Sequence, residues 1–147
     1  MTAEIEIQRA SSATDLPCDE DFQRWVSAAL LSRENNSIVI RLVDSEESRQ
    51  LNNNYRGVDK PTNVLSFPFE APAGIADEFL GDLIICAPVV EQESRRQNKP
   101  RQAHWAHMVA HGMLHLQGYD HQNDQQAGEM ERLEGEILAT LGFPDPY

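Results

Sequence analysis

The residues best equipped for chemistry fall in one stretch, His111-Gly112-Met113-Leu114-His115-Leu116-Gln117-Gly118-Tyr119-Asp120-His121. His111 and His115 stand at positions i and i+4. On a helix they share a face, with Cβ atoms about 5–6 Å apart. That separation lets two imidazoles converge on one ion at about 2.0–2.1 Å each. Gly118 can take a positive φ without steric cost, so the chain can turn back and His121 can supply a third nitrogen from outside the helix. Three protein ligands leave one tetrahedral position open, the pattern of a catalytic rather than a structural zinc. The spacing predicts one Zn²⁺-type ion on His111, His115 and His121, used for hydrolysis.

Two further histidines compete for that role. His107, His111 and His115 lie on one helical stripe, but the outer two are eight residues apart. At 1.5 Å per residue that is about 12 Å, too far for one ion. His107 therefore reads as a core histidine or one that backs a ligand, and His104 as a surface or first-turn residue. A lone histidine on an apolar face is usually a satisfied core side chain; three at this spacing are harder to explain that way.

The spacing H-x-x-x-H-x-x-G-x-x-H is also that of metzincin proteases, which carry a glutamate directly after the first histidine as general base. Here that position is Gly112. Losing such a base commonly costs 10²–10⁴-fold in rate, which leaves a metzincin-like peptidase as an alternative rather than the leading expectation. Asp120 sits in the turn, where hydrogen bonding to the backbone is its ordinary role.

The elements that must position these groups follow from periodicity. Ile5 and Ile7 alternate with Glu4, Glu6 and Gln8, as in a half-buried strand. Residues 19–33 read as a helix with Phe22, Trp25, Val26, Ala29 and Leu30 on one face, broken by Asn35-Asn36. The β-branched run at 37–43 is a strand. Asp44 or Ser45 caps a short polar helix ending at Leu51, and 52–62 reads as a loop carrying Tyr55-Arg56-Gly57. A third strand spans 63–69, with Pro68 pointing to an edge or a bulge. A turn covers 71–77, around Pro72 and Gly74, and a fourth strand covers 80–86. Pro88 fits the first turn of a helix reaching about Asn98. The histidine helix, 101–117, is apolar nearly all round and so central and buried, with Gly118 as its left-handed cap. Asn123 with Gln126 resembles a capping box for the last helix, which stops at Gly142-Phe143-Pro144. Strands and helices mix without strict alternation, which predicts an α+β fold: one domain over 1–147, a small mixed four-stranded sheet and about five helices.

Composition sets the wider bounds. The chain has 147 residues, 40% hydrophobic and 24% charged, enough for a single core without disulfides. Cys18 and Cys86 form no C-x-x-C pair and read as free thiols. No run is long and apolar enough for a membrane helix and no signal peptide is visible, so the expected location is the cytoplasm, with no membrane partner. The net charge of −12 argues against broad, sequence-independent nucleic-acid binding. Arg95, Arg96, Lys99 and Arg101 form the densest basic run, either a solvated helix end or a local RNA-backbone contact.

The 111–121 stretch closely resembles the signature of the YbeY family of bacterial metal-dependent endoribonucleases. Arg56-Gly57 followed by Lys60-Pro61-Thr62-Asn63-Val64-Leu65-Ser66-Phe67-Pro68, and Leu80-Gly81-Asp82-Leu83-Ile84-Ile85, agree with it in order. The family commonly has Asp where this chain has Asn63, which removes a carboxylate but none of the proposed ligands. The resemblance implies a zinc-like ion on the three histidines and a role in ribosomal RNA processing, notably 16S rRNA 3′-end maturation, and in ribosome quality control. Its implied partners are ribosomal RNA, the small ribosomal subunit, and a ribosomal protein or ribosome-associated GTPase. It also implies a catalytic Arg56. Taken without the resemblance, Arg56 is a surface arginine holding its own loop; with it, the guanidinium fork is suited to phosphate oxygens and to charge developing on a phosphodiester. The remaining alternative is a non-catalytic ribosome-assembly factor with a structural metal.

Overall fold

A computed structural model describes residues 3–31, 36–69 and 79–147. Four strands, β1 (Ala3–Arg9), β2 (Asn36–Val43), β3 (Val64–Pro68) and β4 (Phe79–Cys86), form one sheet in the order β1-β2-β4-β3. β1 and β4 run parallel to β2, whereas β3 runs antiparallel to β4. Five helices accompany them: α1 (Asp19–Ala29), α2 (Ser45–Arg56), α3 (Ala87–Arg96), α4 (Arg101–Leu116) and α5 (Asp124–Thr140). The α+β expectation, with a four-stranded mixed sheet and a central histidine-bearing helix, matches this architecture. The expected turn at 71–77 and the end of the first expected helix at 32–33 lie outside the described residues.

α4 is the axis of the molecule. It packs against α1, α3 and α5 and across β3 and β4. Trp105, Ala106, Val109, Met113 and Leu114 are fully or almost fully buried, and they join Phe22, Trp25, Ile38, Ile40, Leu83 and Ile85 in the core. Burial of several such side chains, at about 1.5–3 kcal/mol each, holds the helix in place regardless of its mediocre propensity. β3 is an edge strand, as Pro68 suggested, and Pro68 closes its ladder opposite Gly81.

Two boundaries differ from those expected, for reasons the local sequence does not display. α1 stops at Ala29 because Gln117, at the far end of α4, caps it: its amide donates to the Ala29 carbonyl at 2.9 Å and accepts from the Leu31 N–H at 2.8 Å. α2 does not end at Leu51 but continues through Arg56, so the expected loop at 52–62 begins only at Gly57. Asn52 to Asn54 are poor helix formers, yet buried Asn52 is held by tertiary structure, its Nδ2 donating to the Lys60 carbonyl at 2.8 Å. Gly57 ends the helix in the left-handed region, its N–H on the Asn53 carbonyl at 3.0 Å. Ser48 then pins the returning loop, donating to the Thr62 carbonyl and accepting from the Thr62 N–H at 3.1 and 3.0 Å.

Asp44 is the N-cap of α2, but its carboxylate is engaged from outside the helix. It accepts from the Ser11 hydroxyl at 2.5 Å, the Ser12 N–H at 2.9 Å and the Ser12 hydroxyl at 2.7 Å. Those bonds, Ser11 first, hold its pKa below the usual carboxylate range. A depressed carboxylate stabilises the fold above its unfolded pKa and loses that contribution as pH falls through the folded value. Asp44→Asn should therefore destabilise the protein at neutral pH by about 1 kcal/mol or less. In urea melts the gap to wild type should close as pH drops below the carboxylate range; a gap that persists in acid would assign the loss to packing instead.

Candidate metal centre

His111 and His115 project from the last two turns of α4, and the chain must reverse to bring a third histidine beside them. It does so at Gly118, where φ is +99°. The Tyr119 N–H bonds the Leu114 carbonyl at 3.0 Å and the Gly118 N–H bonds the His115 carbonyl at 3.0 Å, the paired bonds of a Schellman cap. Asp120 then accepts the His121 N–H at 2.8 Å, a turn role as expected rather than a base role. The result is a cluster in which one ring nitrogen from each of His111, His115 and His121 lies within 4.8 Å of the other two.

The donor set fits a cation. The Nε2 atoms of His111 and His115 face each other at 3.2 Å. Two nitrogens on a tetrahedral zinc at about 2.0–2.1 Å would stand about 3.3 Å apart. Burial, then the neighbouring His111 and His121, push the His115 pKa down, which favours the neutral ring that ligates metals. His111 and His115 are half-buried while His121 is exposed, so the cluster opens to solvent on one side.

Behind the cluster lies a residue that sequence reasoning missed. Glu134, on α5, is completely buried. Its carboxylate meets His107 Nε2 at 2.5 Å, the Tyr147 hydroxyl at 3.0 and 3.1 Å, and His111 Nδ1 at 3.4 Å. Burial alone would raise its pKa, but hydrogen bonds from His107 and His111 outweigh that and bring it to about 2. An ionised carboxylate on Nδ1 fixes the ring so that Nε2 points its lone pair into the cluster, the arrangement that orients metal-ligating histidines. The available signal was a lone acid on an otherwise apolar stripe: Met130, Leu133, Ile137 and Leu138 surround it at helical spacing.

The other candidates separate cleanly. His107 is 7% exposed and backs the site through Glu134, within the expected alternatives. His104 is in the first turn as expected but not on the surface. It is 2% exposed, with Nε2 on Glu93 at 2.9 Å, because that face of α4 is covered by α3. Asn63 donates to both oxygens of the same Glu93 at 3.2 Å; an aspartate there would set two carboxylates together. Of the basic run, Arg101 is bound to Glu91 at 2.6 Å and Lys99 to the Pro146 carbonyl at 3.1 Å, leaving Arg95 and Arg96 exposed at the end of α3. The ten residues from Arg101 to His111 put the near end of that run about 15 Å from the cluster along α4.

Arg56 is different. It does not hold its own loop, a task taken by Ser48, Asn52 and the Arg49–Asp59 pair at 2.5 Å. Among the described residues nothing pairs with its guanidinium, and it lines the same cleft as the three histidines, a space of about 790 Å³. Tyr55, Thr62, Asn63, the β3 residues, Gly118, Tyr119 and Asp120 complete that cleft.

Three converging histidines and an arginine lining one cleft, on a mixed sheet with a buried central helix, define a small α+β domain with a candidate metal centre. The sequence profile described as Endoribonuclease YbeY matches residues 4–142, and the chain belongs to that family. The fold is also that of the solution structure of TM1509 from Thermotoga maritima, which is 23% identical. That match covers 92% of this chain and 91% of the other, with a TM-score of 0.52.

Glu134→Gln keeps the shape of the side chain but removes the charge on His111 Nδ1. It should weaken zinc binding about 10–100-fold, measured by competition with a chromophoric chelator. Unchanged affinity would show that Glu134 serves packing alone.

Proposed function

We propose that this chain is a metal-dependent endoribonuclease that cleaves single-stranded RNA during ribosomal RNA maturation. The observation that carries the reading is the shared cleft: three convergent imidazole nitrogens and an arginine that has no ion-pair partner among the described residues line the same space. His111, His115 and His121 would hold one Zn²⁺-type ion. When bound, such an ion supplies Lewis acidity, which lowers the pKa of water toward about 7 and polarises a phosphoryl oxygen. Arg56 offers its planar donor fork to the phosphodiester and stabilises the negative charge that builds on it during cleavage. Glu134 keeps His111 in register from the buried side of the cluster.

The family to which the chain belongs supports the nuclease activity. The finer assignments follow the resemblance of the motifs: maturation of the 16S rRNA 3′ end, a part in ribosome quality control, cytoplasmic action on the small subunit, and contact with a ribosomal protein or ribosome-associated GTPase. Among the described residues no helix is long and apolar enough to cross a membrane.

The metzincin-like spacing favours a peptidase as the second reading, and two observations weigh against it. A glycine stands where that mechanism needs its carboxylate, and a Cβ at Gly112 would come 2.7 Å from a Leu83 side-chain methyl and 3.3 Å from one of Val64. A glutamate there would oblige the Leu83 side chain to shift, and without one the general base of that mechanism is missing. The cleft edge is also a poor template for an extended peptide. Bonds from the Phe69 N–H to Leu80 and from the Cys86 N–H to Asn63 place the odd-numbered residues of β3 in the ladder, so 64, 66 and 68 face outward. Pro68 has no N–H, and the Val64 N–H is taken by the Asn63 side chain at 2.7 Å, which leaves Ser66 as the outward backbone donor of the strand.

Metal analysis of the purified protein should find about one ion per chain, and alanine at His111, His115 or His121 should each remove it. Retention after His121→Ala would mean that the third ligand is another group. Cleavage of structured ribosomal RNA should vanish with a chelator and in His115→Ala, and fall at least about 100-fold in Arg56→Ala with metal content intact. RNA cleavage indifferent to all three changes would sink the metal-nuclease reading, and normal ribosome association without cleavage in wild type would favour an assembly factor.

A further inference from the structure

The cleft contains an aromatic side chain that the metal chemistry does not use. Tyr55 occupies the last turn of α2, immediately before Arg56, and is 68% exposed. Its ring stands edge-to-face on Phe67 of β3, with centroids 4.9 Å apart and planes at 64°. One side of the ring is thus buttressed while the rest faces the cleft. The helix end that carries it is fixed by the Gly57 cap and by the bonds of Ser48 and Asn52, so little conformational freedom remains to be lost on contact with a ligand.

Charge explains why such a platform matters. The chain has 24 acidic and 12 basic residues. Arg9, Arg24, Arg41, Arg49, Arg101 and Arg132 are each engaged by carboxylates. Arg56 is the cation that lines the cleft. Counterion release from one or two phosphates contributes little binding, because the salt slope for single strands is only about −0.7 per phosphate. An RNA ligand must gain its affinity from another source, and every base has a π-face.

We infer that Tyr55 is the base-stacking platform of this cleft: an unpaired nucleobase beside the cleaved phosphodiester lies on its ring, and this contact selects single-stranded over double-stranded RNA. The inference rests on the endoribonuclease reading above. In an A-form duplex each base is already stacked between its neighbours and offers no face to Tyr55. In a single strand the base swings onto the ring while the adjoining phosphate meets Arg56 and the histidine cluster. Neighbouring residues thus divide the nucleotide between them, Tyr55 taking the base and Arg56 the charge.

The test compares zinc-loaded wild type, Tyr55→Ala, Tyr55→Trp and Arg56→Ala on a short unstructured oligoribonucleotide and on the same strand annealed to its complement. Tyr55→Ala should raise KM for the single strand by about tenfold or more, with kcat, bound zinc and the salt dependence of binding little changed. Tyr55→Trp should restore the affinity, and its indole emission should be quenched by the oligonucleotide. Arg56→Ala should instead flatten the salt dependence. If wild type cleaves the single strand and Tyr55→Ala has the same KM, the stacking role is wrong. A KM rise accompanied by zinc loss would likewise overturn it, since Tyr55 would then be structural. If zinc-loaded wild type cuts casein and no RNA, the endoribonuclease reading fails and the stacking inference fails with it.

Discussion

Two histidines one turn apart on a helix can hold an ion from one side only, and everything else at this site depends on bringing a third nitrogen from outside that helix. The reversal has to be complete within six residues, from His115 to His121. A Schellman cap at Gly118 achieves it by satisfying the orphan carbonyls of Leu114 and His115 while redirecting the chain. The requirement spreads outward. α4 must be rigid at its end, so it is buried on nearly every face. Gln117, which sits at that end, is bonded both to its own helix, through the Met113 carbonyl, and to the terminus of α1. The turn that places His121 and the join between α1 and α4 are therefore one piece of structure.

The second constraint is electrostatic. A cluster of imidazoles around a cation needs negative charge nearby but not among the ligands' open faces, where it would compete with an anionic substrate. Glu134 meets both conditions, whereas Asp120 lines the cleft itself, 4.0 Å from His121 Nδ1. Glu134 approaches from the closed side of the cluster, fully buried, and its ionised form is retained because His107, His111 and Tyr147 all direct donors at it. The phenol remains a donor, its pKa pushed up by burial and by that same carboxylate. A fully buried carboxylate with fewer partners would cost several kcal/mol; with these three, α5 is locked onto α4 by the same group that orients the His111 ring.

The sequence made the sheet, the central helix and the histidine triad legible, because each is written in local periodicity or spacing: alternation at Ile5 and Ile7, i and i+4 at His111 and His115, Gly118 three residues on. What it hid depends on contacts between distant segments. The end of α1 is set by a glutamine 88 residues away. The extension of α2 relies on Asn52 reaching a carbonyl in the next loop, a bond that offsets an unfavourable run of asparagines. His104 looked exposed because its partner, Glu93, belongs to another helix. Glu134 was read past because an amphipathic stripe is judged by its majority, whereas the one residue that breaks the stripe is the informative one. Arg56 was legible as a candidate only through the resemblance; what the structure adds is that its loop is held by other groups, so its charge is free.

The strong net negative charge, at first sight an objection to any role on RNA, has a consistent place in this arrangement. An excess of carboxylates draws arginines into ion pairs over most of the surface: Arg41 with Glu47, Arg49 with Glu46 and Asp59, Arg101 with Glu91 and Arg132 with Glu136. Exposed pairs of this kind add little stability, but they remove the cations that would otherwise bind any phosphate backbone. Among the described residues, positive charge is then left where no pair is formed, as at Arg95 and Arg96 on the end of α3 and at Arg56, the arginine that lines the same cleft as the three histidines and, in the proposed reading, their ion. A divalent charge at such a site outweighs the surrounding field at short range, where it is screened least. In the proposed reading the acidic surface disfavours non-specific contact with a phosphate backbone, and the cleft offers a local attraction. A nuclease built this way would gain selectivity from that contrast, because binding would depend on a strand entering the cleft rather than on contact with the surface at large.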